Sequence, residues 1–163
     1  MTVAAPLDAS TLHVLPEVRE MCAADRCGQY GKSWSCPPAC GTLEELEQTL
    51  RRYSRGILVQ TVGQLEDSFD WEGMQEIKER HDEAFRRLWQ VLLEPYPGLL
   101  ALGAGTCTRC AACAWPEPCR FPEQRMVSME ACGLFVSQVC KDNGVPYRYG
   151  KDQLAYTSCF LLV

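Results

Sequence analysis

The chain has 163 residues, of which 47% are hydrophobic and 23% charged, as expected for one globular domain and too short for two ordinary ones. Its formal net charge is −5 and it contains no lysine or arginine run, so we expect no nucleic-acid partner. No apolar stretch approaches the roughly 20 residues that span a bilayer, and the first ten residues lack a signal-peptide pattern, so we expect a cytoplasmic protein without a membrane partner.

The N-terminal part of the chain is predicted to be poor in regular structure. Residues 1–16 are expected to form a loosely held arm, and glycines and prolines indicate that residues 22–40, the first cysteine group, are mostly loop. Thr42 and Glu45 then have the spacing of a capping box. A helix therefore begins here and stops before Gly56.

Residues 42–106 form the predicted scaffold of helix, strand, helix and strand. Residues 56–62 and 99–102 have the short apolar pattern of buried strands. Between them, residues 70–94 have apolar side chains three or four apart, as in a long amphipathic helix. This order predicts a right-handed crossover between parallel strands. The loop at residues 107–123 would then begin at the carboxyl end of a strand, where α/β sheets usually place their sites.

The C-terminal part, residues 128–163, is predicted to be one helix and one strand. Ser128 can cap a helix over residues 129–143, and Gly144 can end it in the left-handed conformation. Residues 154–162 form the last predicted strand. The whole chain, 1–163, is therefore expected to be one small α/β or α+β domain of two or three layers, with a βαβ crossover and two cysteine-rich metal-binding loops.

Eleven cysteines are the anomaly of the composition. Disulfides do not persist in the reducing cytoplasm, so a disulfide framework is disfavoured. Dense cysteine in that setting indicates metal binding or redox chemistry.

The second cysteine loop carries the stronger metal signal. It reads C-T-R-C-A-A-C-A-W-P-E-P-C-R-F-P-E, with Cys107, Cys110 and Cys113 at two-residue gaps and Cys119 after a gap of five. Bacterial ferredoxins bind cubane iron–sulfur clusters with a similar run, although there the last gap is three residues. Cys119 could complete this site or serve the other cysteine group, as the fourth cysteine does in two-cluster ferredoxins.

The first cysteine group contains Cys22, Cys27, Cys36 and Cys40. Cys40 is either a fourth ligand or a bystander just after Pro38. Structural zinc is the alternative to iron–sulfur clusters, because zinc also accepts four thiolates. Zinc ribbons, however, use two separated C-x2-C pairs, whereas the second loop has a cysteine triple and the first group has no such pair. Iron–sulfur is therefore favoured.

The remaining candidates are expected to have structural roles. The alternating or helical spacing of their apolar neighbours predicts packing roles for Cys132, Cys140, Cys159 and His81. Charges near the loops could tune a cluster potential or be ordinary surface charges; they are Lys32, Arg109 and Arg120. Trp34 and Trp115 could screen a cluster from water or simply pack.

The chain resembles a family of small cysteine-rich bacterial and archaeal proteins, the predicted metal-binding proteins with domain of unknown function 2284. The resemblance is carried by C-G-Q-Y-G-K-S-W-S-C-P-P (27–38), L-E-D-S-F-D (65–70), L-G-A-G-T-C-T-R-C-A-A-C (102–113), C-R-F-P-E (119–123) and S-M-E-A-C-G (128–133). It implies a metal or iron–sulfur site on Cys22, Cys27, Cys36, Cys107, Cys110, Cys113 and Cys119. The resemblance disfavours Cys40 as a ligand and supports a packing role for Cys132. It implies no substrate.

Three functions compete. The leading hypothesis is a carrier of one or two [4Fe–4S] clusters, with two favoured, that passes electrons to a redox partner protein. The second is an enzyme in which a cluster held by only Cys22, Cys27 and Cys36 leaves one iron open as a Lewis acid. No histidine lies near either loop, and Asp25, Glu117 and Glu123 are candidate bases by proximity alone. The third is a structural zinc module.

Overall fold

A computed structural model of the chain describes residues 1–24, 28, 30–147 and 151–163. Over these residues the chain forms a five-stranded mixed sheet and four α-helices. The strands are β1 (Thr2–Asp8), β2 (Arg55–Gln64), β3 (Leu100–Gly103), β4 (Val127–Ser128) and β5 (Gln153–Leu162). The helices are α1 (Pro16–Ala23), α2 (Leu43–Leu50), α3 (Trp71–Leu93) and α4 (Val136–Asp142). The predicted α/β class is confirmed.

The strand order is β1-β2-β5-β3-β4. Both β2 and β3 pair antiparallel with β5, so they run parallel to each other, as the strand–helix–strand pattern predicted. They are not neighbours, because β5 lies between them. The apolar run of β5 explains its central place, since a central strand must be buried on both faces. The hand of the crossover through α3 stays a prediction.

The expectation of a loosely held N-terminal arm is wrong for residues 2–8. They form β1, which pairs antiparallel with β2 from Thr2 opposite Thr61 to Asp8 opposite Arg55. The side chain of Leu7 is 2% exposed and anchors the strand in the core. Proline is tolerated in an edge strand, which is why Pro6 does not prevent pairing.

The core lies on both faces of the sheet. Successive residues of β5 point to opposite faces, so Phe160 packs towards α3 while Leu161 packs towards α2 and α4. On the α3 side, the rings of Phe85 and Phe160 stack with centroids 4.6 Å apart. The sheet thus forms the middle layer and supports the loops at its ends.

The predicted helix over residues 129–143 is divided in two. The Ser128 hydroxyl accepts a hydrogen bond from the backbone N–H of Ala131 at 3.0 Å, but it caps only a 3₁₀ turn, Glu130–Cys132. Gly133 follows with φ of 79°, a left-handed conformation that ends the turn. The α-helix starts at Val136. The predicted end is confirmed, because Gly144 has φ of 71°.

The other local signals are confirmed. Thr42 and Glu45 form the predicted capping box at the start of α2: the Thr42 hydroxyl accepts from the Glu45 N–H at 3.2 Å and the Glu45 carboxylate accepts from the Thr42 N–H at 2.9 Å. The bounds of β2, α3, β3 and β5 lie within a few residues of those predicted. No helix in the described ranges is long and apolar enough to cross a membrane.

His81 is a core histidine, as predicted. It is fully buried on α3, and its Nδ1 and Nε2 lie 2.9 Å from the Thr61 hydroxyl and 3.0 Å from the Ser158 hydroxyl. Burial lowers the pKa of His81 to about 4, although the nearby Asp82 carboxylate acts in the opposite direction. The imidazole is therefore neutral at physiological pH.

Candidate metal centre

The second cysteine loop connects two neighbouring parallel strands. It leaves β3 after Gly103 and rejoins the sheet at β4, where Leu102 pairs with Val127 and Gly103 with Ser128. The loop therefore begins at the carboxyl end of β3, as predicted. Its four thiols are free: Cys107, Cys110 and Cys119 are half-buried, and Cys113 is exposed.

The first cysteine group is partly helical, whereas the sequence predicted mostly loop. Cys22 lies in the last turn of α1, which starts with Pro16 at a position where proline needs no N–H donor. Cys36 is buried in the loop that follows and Cys40 is half-buried. Cys27, a predicted ligand, lies outside the described residues.

The two cysteine groups adjoin each other through a pair of buried serines. The Ser35 hydroxyl accepts a hydrogen bond from the backbone N–H of Cys107 at 3.1 Å and lies 3.0 Å from the Ser33 hydroxyl. Next to this contact, the Cys36 sulfur lies 3.8 Å from the Thr106 hydroxyl. Cys36 of the first group and the start of the second loop are thus held side by side. Sequence analysis missed these serines, although the S-W-S pattern before Cys36 is a visible signal.

Trp34 makes a second link between the groups. Its indole N–H donates a 2.7 Å hydrogen bond to the carbonyl oxygen of Glu117 in the second loop. Its ring also packs edge-on against Trp115, with centroids 4.8 Å apart. The two tryptophans therefore pack together across the junction, and their proposed role in screening a cluster stays a prediction.

Cys113 has the surroundings of a stabilised thiolate. Burial acts to raise its pKa, but hydrogen bonds from the backbone N–H groups of Trp115 and Trp34 and the charge of Arg120 outweigh it. The pKa of Cys113 is therefore below its usual value. A thiolate is the form that binds a metal, and N–H groups pointing at sulfur are a known means of tuning iron–sulfur clusters.

The three basic side chains near the loops differ in their roles. Arg120 donates a 2.9 Å hydrogen bond to the carbonyl oxygen of Ala112 and lowers the pKa of Cys113. The Arg109 guanidinium lies 3.8 Å from the centroid of the Phe121 ring. Lys32 is exposed. Arg120 is therefore the basic residue that the structure connects to a predicted ligand.

Cys40 has the surroundings of a neutral thiol. Its sulfur lies 3.7 Å from the Arg19 guanidinium and 3.9 Å from the carbonyl oxygen of Ala131. Burial nevertheless raises the pKa of Cys40, outweighing the charge of Arg19. These contacts favour a bystander role over a ligand role.

The three cysteines predicted to pack are buried in the core. Cys132, Cys140 and Cys159 are each at most 1% exposed and belong to the cluster on the α4 side of the sheet. Burial raises the pKa of Cys132 to about 12 and raises that of Cys159 further. Such thiols stay protonated and act as small hydrophobic groups.

The predicted ligands are not arranged as a complete metal site in the described part of the chain. Among its histidine, cysteine, aspartate and glutamate side chains, no group of three or more is placed so that it could hold one metal ion. The chemistry of the donors nevertheless fits a thiophilic metal, because the loop thiols are free and Cys113 is biased towards the thiolate. Binding would require the loop cysteines to converge.

A cavity of about 840 Å³ opens beside the first cysteine group. Cys22 and Cys36 are in its wall, together with Thr106 from the start of the second loop. Glu130 and Tyr147 approach from the C-terminal half of the chain. Sequence analysis missed these two residues, because only the fold brings them to the cysteines.

A comparison with known families agrees with this chemistry. Residues 5–162 match the family described as predicted metal-binding protein (DUF2284). The chain belongs to this family. The match spans nearly the whole chain and includes both cysteine groups, so the resemblance drawn from the motifs is confirmed. No curated protein and no solved structure showed a significant match. The family match therefore indicates that this DUF2284 protein binds a metal, and it names no particular metal.

Proposed function

We propose that this DUF2284 protein binds iron–sulfur clusters and transfers electrons to a partner protein. Cys107, Cys110, Cys113 and Cys119 would hold one [4Fe–4S] cluster. The first cysteine group, with Cys22, Cys27 and Cys36, would hold a second. When bound, such clusters supply one-electron redox chemistry.

The observation that carries the proposal is the environment of Cys113. Its sulfur is exposed, and the backbone N–H groups of Trp115, Trp34 and Ala114 together with the charge of Arg120 lower its pKa. These features favour the thiolate form of Cys113. Four cysteines in the same loop supply the soft ligands that iron–sulfur clusters require.

Exposure of the second loop supports electron transfer rather than a purely structural role. The cysteines of this loop are half-buried or exposed, so a partner protein could approach a cluster there closely. The contact between Ser35 and Cys107 holds the first group against this loop. Two clusters placed in adjoining loops would permit electrons to pass between them.

The test is the metal content of anaerobically purified protein, with its visible absorption spectrum and a redox titration. About eight irons and eight sulfides per chain and a reversible couple would support two cubanes that carry electrons. Stoichiometric zinc without colour would contradict the proposal and leave a structural zinc module. The variant Cys113→Ser should lower the iron content, whereas Cys140→Ala, in the core, should leave it unchanged.

A second candidate function is catalysis at the first cysteine group. The cavity with Cys22 and Cys36 in its wall gives a small molecule access to this group. A cluster held there by three thiolates would have one iron without a cysteine ligand, which could act as a Lewis acid.

One measurement separates the two functions. Mild oxidation of the reconstituted protein should release a single iron and give the electron paramagnetic resonance signal of a [3Fe–4S] cluster if one iron lacks a cysteine. The Cys119→Ser variant serves as a comparison, because it would create such an iron in the second loop. Full retention of all irons under oxidation would favour electron transfer alone.

A further inference from the structure

The cavity beside the first cysteine group has the size of a small-molecule site. Its volume of about 840 Å³ falls within the roughly 300–1,000 Å³ of most ligand pockets. Its floor includes the well-packed residues Val18, Ala131 and Val136, each less than 9% exposed. Buried core residues, and not surface loops alone, therefore form part of the cavity wall.

The charged side chains that line the cavity in the described part of the chain are all acidic. Glu17, Glu20 and Glu130 line it, and none of the described lining residues is a lysine or arginine. An anionic ligand would thus be repelled, whereas a cation would be attracted.

Glu130 is an acidic lining residue with a raised pKa. The residue is exposed, but partial burial of its carboxyl group raises its pKa. The Ser128 hydroxyl, which donates to it, opposes this rise. A carboxylate that water solvates poorly gains more from a nearby cation than a fully hydrated one does.

Aromatic side chains give the wall a second feature that suits a cation. Tyr30, Tyr147 and Tyr156 all line the cavity. Tyrosine rings attract cations through their faces and also pack against apolar groups. The aromatic rings and the apolar floor would therefore accept the body of an organic ligand, while the carboxylates would accept its charge.

We propose that this cavity binds a small organic amine in its ammonium form, with Glu130 as the main carboxylate and the three tyrosines around its apolar body. The inference deepens the second candidate function, because it names a ligand class for the same cavity. Amine binding itself depends on the wall residues and not on which metal the cysteines hold.

The test compares three probes of nearly equal shape on the metal-loaded protein: phenethylamine, phenethyl alcohol and phenylacetate. Binding is measured by isothermal titration calorimetry. We expect the amine to bind at least about tenfold more tightly than the alcohol, as one charge-assisted contact provides. Phenylacetate should not bind measurably. Equal binding of the three probes, tighter binding of the alcohol or acid, or no binding of the amine would overturn the inference.

A pair of variants then assigns the charge. Glu130→Gln should weaken amine binding about tenfold and leave alcohol binding unchanged. Glu76→Gln is the matched control, because Glu76 is exposed on α3 and lies outside the cavity wall. An unchanged amine affinity in Glu130→Gln would show that Glu130 is not the main carboxylate for the ammonium group. If Glu130→Gln does not fold, the three probes still decide the inference on the unmodified protein.

The amine-binding result and the metal content of the protein test separate proposals. Protein that contains iron and sulfide but does not bind phenethylamine would overturn the amine inference and leave the cluster proposal standing. Colourless zinc protein that binds phenethylamine selectively would do the reverse.

Discussion

The buried imidazole of His81 should make the protein lose stability as the pH falls below about 6.5. In the folded chain the pKa of His81 is lowered to about 4 from an ordinary value of 6.5. Between these two values the unfolded chain binds a proton that the folded chain does not, so stability decreases as the pH is lowered. Above pH 6.5 both states are neutral and the full stability is present.

The size of the effect follows from the difference between the two pKa values. A difference of about 2.5 units corresponds to about 3.4 kcal/mol at 1.36 kcal/mol per unit. By pH 5 the imidazole should account for about 2 kcal/mol of lost stability. The cause is the enclosed site between Thr61 and Ser158, where a charged ring cannot be hydrated.

Chemical denaturation at pH 7.5 and pH 5 measures this effect. Because the chain has only two histidines, His13→Ala leaves His81 as the sole imidazole, and His13→Ala/His81→Gln removes both. Between pH 7.5 and pH 5, the free energy of unfolding should fall by about 2 kcal/mol more in the first variant than in the second. Absorption spectra before denaturation must show the same metal content at both pH values.

Equal losses in the two variants would refute the reasoning. If the double variant does not fold, the ring of His81 can be titrated by NMR in His13→Ala alone. A protonation midpoint above about 6 would show that the site tolerates the charge, contrary to the burial argument.

Three further predictions test the scaffold and the loops. Gly56→Ala should lower the free energy of unfolding by about 1–3 kcal/mol, because its methyl group would overlap a backbone carbonyl of β5; Gly98→Ala, where a methyl group meets only ordinary contacts, is the control. Ser35→Ala should lower the free energy of unfolding by about 1–3 kcal/mol and speed the loss of metal to a chelator, because it leaves the N–H of Cys107 without its acceptor. An unchanged rate of metal loss would contradict a role of Ser35 in joining the two cysteine groups. In metal-stripped native protein, iodoacetamide should modify the exposed Cys113 well before the buried Cys159, as peptide mass spectrometry can show; equal rates would mean that the core opens.

Patterns in adjacent residues were readable from the sequence because their physical causes are local. The capping box of Thr42 and Glu45 needs only one helical turn, and the apolar spacing of α3 needs only its own period. Gly144 ends α4 because glycine adopts positive φ without strain. The two cysteine groups were also readable, since metal-ligand spacing is written in the chain itself.

Features that depend on distant parts of the chain were decided only by tertiary structure. β1 is a strand because β2 offers it partners 47 to 59 residues later. β5 separates β2 from β3 although it comes last in the chain. The contact of Ser35 with Cys107 joins residues 72 positions apart, and Glu130 reaches the cavity of Cys22 in the same way. The sequence by itself thus determined the kinds of chemistry available, whereas packing decided which side chains share a site, because non-local contacts depend on the whole fold.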